Sequence, residues 1–514
     1  MNKYIRNITF GAALLLTVGS CTNKFEEYNT NQYEIHEADP ATLMKSMIET
    51  IVNIQQNDSQ MQDQMVGQYG GYLCPSNTWS GTNFGTYNPS DGWSASLWNT
   101  NFEKIYSNFF QIQEATKATG HYYAFACMIR AITMLRVADC YGPMPYSQVQ
   151  KGNFYVAYDS QEQVYEHILN DFEKAANVLY DYFVSTNGNA PLAANDPVFS
   201  GNYMQWAKLA NSMRLRVAIR VSDFMPEIAK TAAEAAVSHP AGLIEDNADN
   251  AMMSCGTQTN PYHLAAVSWG DLRVNANIID YMMGYDDPRL PKYAKKSTIK
   301  GMTDQYVGIR TGDADLIKGE AAGFSLPNIA GTDKMLVFCA AETAFLRAEG
   351  KLRGWEVGSK SAKEYYVNGI NLSMEQYAVS GEEYLNSEDA PQVSHAGDPV
   401  QNASATIGNT VGVKWDDTDN SASGKNFQRI ITQKWIANYP LGLEAWAEHR
   451  RTGFPVFYQC IDNLSSVVNT NRGMRRLSFP YTEKQNNAAN CDQAVADLGG
   501  PDSPATDLKW AKKN

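Results

Sequence analysis

The chain has 514 residues, of which 44% are hydrophobic and 19% are charged, and its net charge at pH 7 is −13. This composition is that of a globular protein. The excess of negative charge argues against a nucleic-acid partner, which needs a basic surface. The length suffices for two or three ordinary domains or for one large helical array.

The N-terminal segment has the pattern of an export signal that ends on Cys21. A basic start is followed by an apolar run over residues 8–18 and by two small residues directly before the cysteine. The run is too short and too early to span a membrane in the mature protein. The pattern is typical of a bacterial lipoprotein and predicts that residues 1–20 are removed, that Cys21 carries lipid such as palmitate, and that residues 21–40 form a tether. A secretory signal with a chance cysteine is the alternative.

The other seven cysteines show no pattern of metal or disulfide chemistry. Seven cannot all pair with one another, and no C-x-x-C occurs. Cys127, Cys140 and Cys339 lie in apolar helical stretches, so we interpret them as small buried hydrophobes.

Helical periodicity dominates most of the chain. Apolar residues recur at spacings of three and four over 102–112, 125–135, 164–179 and 206–217, and further helices are predicted at 273–284, 335–353, 361–378 and 427–450. Ser160 and Gln163 have the spacing of a capping box at the start of one of them. Successive one-sided stripes are buried economically by helix pairs, so we expect a mostly α, superhelical helix-turn-helix array.

Long non-helical stretches interrupt this array and carry aromatic and amide residues. They cover 67–97, 183–202, 240–272, 296–334 and 380–426. Loops of this length in a compact protein are usually functional or hold short elements of their own. Stretch 67–97 interleaves six aromatic residues with three asparagines, a mixture suited to a surface that binds sugars or peptides.

A resemblance to one known protein family extends over nearly the whole chain. It is carried, in order, by the start after Cys21, RAITMLRVADCYGPMPYSQ (130–148), YDSQEQVYEHILNDFEKA (158–175), WAKLANSMRLRVAIRVS (206–222), GYDDPRLPKY (284–293), ITQKWIANYPLGLEAWAEHRRTGFP (431–455), RRLSFPYTEKQNN (475–487) and the late Asp507 and Trp510. The sequence resembles the SusD/RagB-type nutrient-binding outer-membrane lipoproteins. The Gln-Lys-Trp and Trp510 features are closer to the second SusD-like subfamily than to the founding starch-binding protein.

The resemblance implies a tetratricopeptide-like helix-pair superhelix with few short strands and a loop-rich ligand-binding substructure. It assigns residues 41–514 to one SusD-like domain, with the helical scaffold mainly in 41–240 and 335–455 and the ligand face in 67–97, 240–334 and 380–426. It also implies a non-catalytic lid on a SusC-like TonB-dependent outer-membrane transporter, lipid-anchored and facing the cell surface, which captures oligosaccharides or, in some members, peptides.

We interpret the motif at 434–451 as part of the scaffold rather than as a ligand site. Trp435, Tyr439 and Trp446 have roughly helical spacing, which predicts a core face. The charged residues of the same segment, Glu444, Glu448, Arg450 and Arg451, predict an ion-paired face.

Candidate ligand-binding residues are therefore sought among loop aromatics and their polar neighbours. They are Trp79, Tyr87, Trp93, Tyr262, Trp269, Asp271, Tyr306 and Arg310. We expect the five aromatics Trp79, Tyr87, Trp93, Tyr262 and Trp269 to face one shallow site. No family motif fixes these residues, and loop packing is the alternative role for each of them.

Catalytic and metal motifs are missing from the sequence. There is no H-E-x-x-H, G-x-S-x-G or P-loop, and the seven histidines show no metal-ligand spacing. The run Asp416–Asn420 hints at calcium but does not fit an EF-hand loop. We therefore predict no catalytic residues, no metal and no cofactor. The alternatives left open are a surface glycoside hydrolase on a helical scaffold and a purely structural adaptor.

Overall fold

The computed structural model describes residues 39–79, 82–153, 155–408 and 411–513. Cys21, the predicted signal and the tether up to residue 38 lie outside the described residues. No helix in the described ranges is long and apolar enough to cross a membrane.

The architecture is mostly α, as predicted. The helices of the first half are α1 (Pro40–Ile48), α2 (Gln56–Ser59), α3 (Asp91–Thr116), α4 (Gly120–Tyr141), α5 (Gln161–Ser185), α6 (Tyr203–Arg220), α7 (Pro226–Ser238) and α8 (Pro261–His263). Those of the second half are α9 (Ala276–Gly284), α10 (Leu290–Tyr293), α11 (Ala340–Leu352), α12 (Ala362–Gln376), α13 (Glu382–Leu385), α14 (Lys425–Ala437), α15 (Gly442–Thr452), α16 (Tyr481–Asn486) and α17 (Ala488–Leu498).

Neighbouring helices pack in sequence, as expected for a tetratricopeptide-like array. From α3 to α7 each helix packs against the next, and α11 packs against α12, α14 and α6. The predicted capping box begins α5, where the Ser160 hydroxyl accepts from the Gln163 N–H and the Gln163 side chain accepts from the Ser160 N–H. It satisfies two of the backbone donors that a helix start leaves unpaired.

Three predicted helices have different bounds in the structure. The helix expected over 427–450 is two helices, because Pro440 has no N–H to continue α14 and the chain turns before α15 begins at Gly442. The segments expected to be helical from 273 and from 335 each begin as a strand, over Leu272–Val274 and Met335–Phe338, and their helices α9 and α11 start at Ala276 and Ala340.

The strands are few and short, and they pair in three two-stranded antiparallel sheets among the described residues. They are β1 (Leu73–Pro75), β2 (Ala251–Met253), β3 (Leu272–Val274), β4 (Met335–Phe338), β5 (Gln392–His395) and β6 (Ala405–Gly408). The pairs are β1 with β3, β2 with β4, and β5 with β6. The β1–β3 and β2–β4 sheets link segments that are distant in sequence, and the β5–β6 sheet is a hairpin within one loop-rich segment.

One main hydrophobic core runs from α1 to Trp510, and the loop-rich part has a small second core around Ile309 and Phe324. The predicted core aromatics Trp435, Tyr439 and Trp446 are buried. The three cysteines predicted to be buried hydrophobes, Cys127, Cys140 and Cys339, are free and buried.

The charged residues of the 434–451 motif are buried rather than solvated. Glu448 contacts Arg220 at 2.7 Å, Lys434 at 2.6 Å and Arg451 at 2.9 Å. Further pairs of the same network join Arg216 to Glu342 at 2.6 Å and Arg451 to Glu349 at 2.7 Å. This network, which we call the buried ion network, ties α6, α11, α14 and α15 together.

Candidate functional site

A two-stranded sheet brings two of the predicted ligand segments together. Strand β1 pairs with β3 so that Pro75 faces Leu272. Directly beyond the sheet, the Ser76 N–H donates to the Asp271 carbonyl at 2.9 Å and the Ser76 hydroxyl donates to the Gly270 carbonyl at 2.7 Å. The loop that starts at Ser76 and the turn that follows Trp269 are thus fixed side by side.

A third segment joins the same sheet through its backbone. The Ile309 N–H donates to the Val274 carbonyl at 2.9 Å, and the Ala276 N–H donates to the Ile309 carbonyl at 2.8 Å. Gly308 allows this close approach, because a Cβ there would lie 2.6 Å from the Ala276 Cα. The three stretches predicted from sequence to carry ligand residues therefore share one scaffold.

Five aromatic rings of the first segment form a continuous series, which we call the aromatic row. Its members are Trp79, Trp93, Phe84, Tyr69 and Tyr87. Centroid distances are 5.8 Å from Trp79 to Trp93, 6.4 Å from Trp93 to Phe84, 6.3 Å from Phe84 to Tyr69 and 6.0 Å from Tyr69 to Tyr87. Phe84 is fully buried and the other four rings are half-buried, so the row has a core anchor and several partly exposed faces.

Trp93 reaches the row from a helix and not from the predicted loop. It lies in the first turn of α3, where the Ser90 side chain caps the helix by accepting from the Trp93 N–H at 3.3 Å. The sequence stripe of α3 begins only further on, so periodicity alone did not show that the helix starts before Trp93.

Two rings of the row sit on unusual backbone. Trp79 has φ 41° and Tyr87 has φ 61°, both in the left-handed region that costs a non-glycine residue roughly 1 kcal/mol or more. Asparagine side chains hold these turns, since Asn77 Oδ1 accepts from the Trp79 N–H at 3.0 Å and Asn83 Oδ1 accepts from the Thr86 N–H at 3.0 Å. The two ends of the aromatic row therefore lie on strained turns that neighbouring side chains maintain.

Polar side chains border the row on the side of β3. Asn77 donates to Asp271 Oδ1 at 3.3 Å, and the Lys318 ammonium lies 2.6 Å from the same oxygen. Asp271 is thus placed where the sequence predicted a polar ligand residue, and it is paired with a lysine that the sequence reasoning missed. Only the tertiary fold brings Lys318 to this position, so no local signal could have shown it.

Trp269 and Tyr306 are half-buried on the neighbouring segments. Trp269 ends a short π-helical turn over Leu264–Trp269 and precedes Asp271 by two residues. Tyr306 precedes the backbone pairing of Ile309 with β3. Neither ring is in the aromatic row.

Tyr262 and Arg310 lie elsewhere than predicted. Tyr262 is 5% exposed and packs in the main core, because Asn260 caps the short helix α8 and turns the ring inward. Arg310 is 6% exposed, and its guanidinium donates to the Ala403 carbonyl at 3.1 Å and the Gln459 carbonyl at 3.0 Å. Arg310 thus cross-links loops, and of the five rings predicted to face one site, Trp79, Tyr87 and Trp93 lie in the aromatic row while Tyr262 and Trp269 do not.

The fold and this surface define a class of binding protein in which a rigid array of helix pairs supports a loop-built face of rings and amides. A family model described as SusD-like, the Susd and RagB outer membrane lipoproteins, matches residues 22–511. The chain therefore belongs to the SusD-like family of nutrient-binding outer-membrane lipoproteins.

Solved structures of the family are similar over almost the full length. A SusD-like protein from Bacteroides thetaiotaomicron VPI-5482 is 34% identical with a TM-score of 0.87, covering 93% of this chain and 99% of that one. A SusD homologue from Bacteroides uniformis ATCC 8492 is 35% identical with a TM-score of 0.86, covering 92% and 99%. A chitin-binding SusD homologue from Flavobacterium johnsoniae is 31% identical with a TM-score of 0.87, covering 92% and 99%. A comparison with curated proteins finds no match.

Proposed function

We propose that this protein is a non-catalytic, lipid-anchored subunit that captures oligosaccharides at the cell surface and acts as the lid of a SusC-like TonB-dependent outer-membrane transporter. Family membership supports the compartment and the general role. The observation that carries the choice of ligand is the aromatic row with its bordering amides and carboxylate. Sugars present C–H faces to rings and hydroxyls to such polar groups, and rigid rings lose little side-chain entropy on binding.

Calorimetric titration with a panel of neutral oligosaccharides tests the ligand. Chito-oligosaccharides come first, because a similar protein from Flavobacterium johnsoniae is described as chitin-binding. We expect Trp79→Ala to weaken binding of the preferred glycan about 5- to 30-fold, which corresponds to a loss of roughly 1–2 kcal/mol for one ring contact.

The matched control is Tyr155→Ala, which removes a ring that is 74% exposed and outside the aromatic row. Its affinity should equal that of the wild type. If Trp79→Ala and Tyr155→Ala bind every glycan as the wild type does, the aromatic row is not the binding surface. If peptides bind and no glycan does, the peptide-binding alternative replaces the oligosaccharide proposal.

Membrane fractionation tests the lipid anchor, and co-purification tests the transporter partner. The new N-terminus after signal removal is proposed to be lipidated Cys21, so Cys21→Ser should move the protein from the membrane to the soluble fraction. Two or more acyl chains are needed for stable anchoring, because each buried CH₂ contributes roughly 0.8 kcal/mol. A wild-type protein that does not co-purify with a TonB-dependent transporter would contradict the lid role.

The glycoside hydrolase alternative has one observation in its favour. Asp313 lines a small pocket with Asn77 and Asn83 next to the aromatic row. Burial raises the pKa of the Asp313 carboxyl, and the nearby Asp462 charge contributes to the rise, which favours the protonated form that a general acid needs. New reducing ends on incubation with the bound glycan, lost in Asp313→Asn, would establish hydrolysis and contradict the non-catalytic proposal.

A further inference from the structure

A cavity of about 190 Å³ opens beside the aromatic row. Tyr69 and Tyr87 of the row line it, and Trp446 and Phe457 contribute further rings. One water needs roughly 10–15 Å³ of such space, so the cavity has room for a ligand group much larger than a water molecule. The cavity therefore extends the proposed binding surface by one partly open position.

Four cationic side chains line this cavity, which we call the basic cavity: Arg450, Arg472, Arg475 and Lys512. No aspartate or glutamate is among the lining residues in the described part of the chain. The protein as a whole carries a net charge of −13, so a cavity whose charged lining residues are all cationic differs in sign from the molecule as a whole.

The positive charge of the basic cavity is only partly neutralised. Asp507 accepts from Arg472 at 2.7 Å and from Arg475 at 2.6 Å, so one carboxylate serves two guanidinium groups. Lys512 is exposed, and its ammonium donates to the Thr452 carbonyl at 3.5 Å. Lys512 and Arg450 therefore contribute two positive charges that have no carboxylate partner among the described residues.

Arg450 is 1% exposed and makes no ion pair with a described carboxylate. It donates to the Arg475 carbonyl at 2.9 Å and to the Asp139 carbonyl at 2.7 Å, and its guanidinium lies 3.7 Å from the centroid of the Trp446 ring. A buried guanidinium held by carbonyls and a ring keeps its full charge close to the cavity.

Two pKa shifts agree with this surplus of positive charge. The pKa of Arg450 is lowered to about 9, mainly by burial, with a contribution from the neighbouring charges of Arg475 and Arg220 and against the opposing charge of Asp139. Burial likewise lowers the pKa of His449 to about 4, again with a contribution from Arg475. Cations here repel one another and disfavour an added proton, so the same field favours an anion.

We propose that the basic cavity binds the negatively charged group of an acidic glycan, a sugar residue that carries a carboxylate or a sulfate. The inference rests on the proposed function, because Tyr69 and Tyr87 belong to both the aromatic row and the cavity wall. Neutral sugar residues of the glycan lie on the aromatic row, and its charged sugar residue enters the basic cavity. Arg472 and Lys512 provide charge-assisted hydrogen bonds to the charged group.

A pair of ligands that differ only in charge tests the proposal. Calorimetric titration compares oligogalacturonate with its methyl ester, and a sulfated oligosaccharide with its desulfated form, which distinguishes the carboxylate from the sulfate. We expect the charged member of one pair to bind about tenfold more tightly or better than its neutral form, with the preference falling as salt increases.

The variants are Lys512→Gln and Arg472→Gln, with Lys151→Gln as the control. Lys151 has a side chain that is 75% exposed and lies outside the cavity, so its substitution changes the net charge equally. Lys512→Gln and Arg472→Gln should each lower the preference for the charged ligand, measured as the ratio of the charged-form and neutral-form affinities, at least several-fold. Lys151→Gln should keep the full preference.

Failures of the two proposals are distinguishable. If neutral glycans bind through Trp79 but charged and neutral forms bind equally, the acidic-ligand inference is overturned and the proposed function stands. If the preference persists in both cavity variants, the charged group binds elsewhere and the assignment to this cavity is overturned. If no glycan of either kind binds, the proposed function fails, and this inference fails with it.

Discussion

Gly442 is the first residue of α15, and it faces the 3-10 turn Gly67–Gly70 at the base of the aromatic row. A Cβ on Gly442 would lie 2.9 Å from the Gly67 Cα, closer than real Cβ contacts allow. We expect Gly442→Ala to lower the free energy of unfolding by about 1–3 kcal/mol, the usual cost of overpacking. Urea denaturation measures the change.

Gly92 supplies the control for that substitution. It also lies in the first turn of a helix, α3, but a Cβ there would meet nothing within 4 Å. Gly92→Ala should leave stability unchanged or raise it by roughly 0.5–1 kcal/mol, because alanine is the better helix former. Equal effects of Gly92→Ala and Gly442→Ala would show that the close approach at Gly442 is not rigid.

For single residues, the sequence indicated the kind of side-chain chemistry more reliably than the position of the side chain in the fold. Ring and amide composition indicated stretch 67–97, and the structure does place Trp79, Tyr87 and Trp93 in one row. The same reasoning could not separate Tyr262 from them, because its burial follows from the capping of α8 and from tertiary packing. The isolated Arg310 was ambiguous for the same reason, since its carbonyl partners come from segments 90 to 150 residues away in sequence.

Among the elements, the β5–β6 hairpin is held to α9 by one buried histidine. His395 Nδ1 lies 3.0 Å from Asp280 Oδ2, and His395 Nε2 lies 3.5 Å from Asp398 Oδ2. Burial alone would lower the pKa of His395, but its two aspartate neighbours outweigh burial and raise the pKa to about 9, against the opposing charge of Arg310. The Tyr458 ring packs against the same imidazole, with its centroid at 6.2 Å.

This arrangement predicts a specific dependence of stability on pH. Because the folded pKa lies above the unfolded value of about 6.5, the stabilisation is fully present below pH 6.5 and is lost as pH rises through about 9. Its upper size is about 3 kcal/mol. Urea denaturation between pH 6 and pH 9.5 should show this loss of stability in the wild type, and the His395→Gln variant should lack this pH dependence. If the wild type and His395→Gln have the same pH profile of stability, the charged-histidine bridge is contradicted.

The elements themselves were largely predictable from periodicity. The long helices α3 to α6 carry regular apolar stripes, and each is found where the stripe is. Where prediction was wrong, a single local feature decided the outcome. Pro440 separates α14 from α15, and the apolar run Met335–Phe338 pairs with β2 as a strand because four consecutive buried residues suit a strand as well as a helix.

For the whole molecule, the buried ion network is the main polar link between helices that are distant in sequence. Burial alone would raise the pKa of Glu448, but Arg451, Lys434 and Arg220 hold it well below its usual range. We expect Glu448→Gln to lower the free energy of unfolding by about 3–5 kcal/mol, because three buried cations lose their shared partner. Thermal and urea denaturation measure the loss.

The control is a pair of exposed charges. Lys363 and Asp417 are 2.9 Å apart with side chains 49% and 71% exposed, and such pairs contribute roughly 0–1 kcal/mol. Lys363→Gln should therefore be close to the wild type. The depressed pKa of Glu448 also predicts that its contribution is present above the unfolded pKa of about 4.3 and is lost as pH falls further. A Glu448→Gln variant as stable as Lys363→Gln would contradict a structural role for the network.

At this scale the fold could be predicted because eight motifs occur in the right order along the chain, and a family match over 22–511 agrees with them. The proposed binding surface could not be predicted from the sequence, because its segments meet only through the pairing of β1 with β3 and of Ile309 with β3. The basic cavity was missed for a similar reason. Its cations come from three separate segments near Arg450, Arg472 and Lys512, and two of its rings, Tyr69 and Tyr87, come from the other end of the chain.

A crystal structure of the protein with its tightest-binding oligosaccharide would show whether glycans bind on the aromatic row. We expect a sugar ring packed against Trp79 or Tyr87, with hydroxyl contacts to the asparagines of the same loop or to Asp271. A sugar bound away from residues 69–93, or a cleaved product in place of the intact ligand, would contradict it.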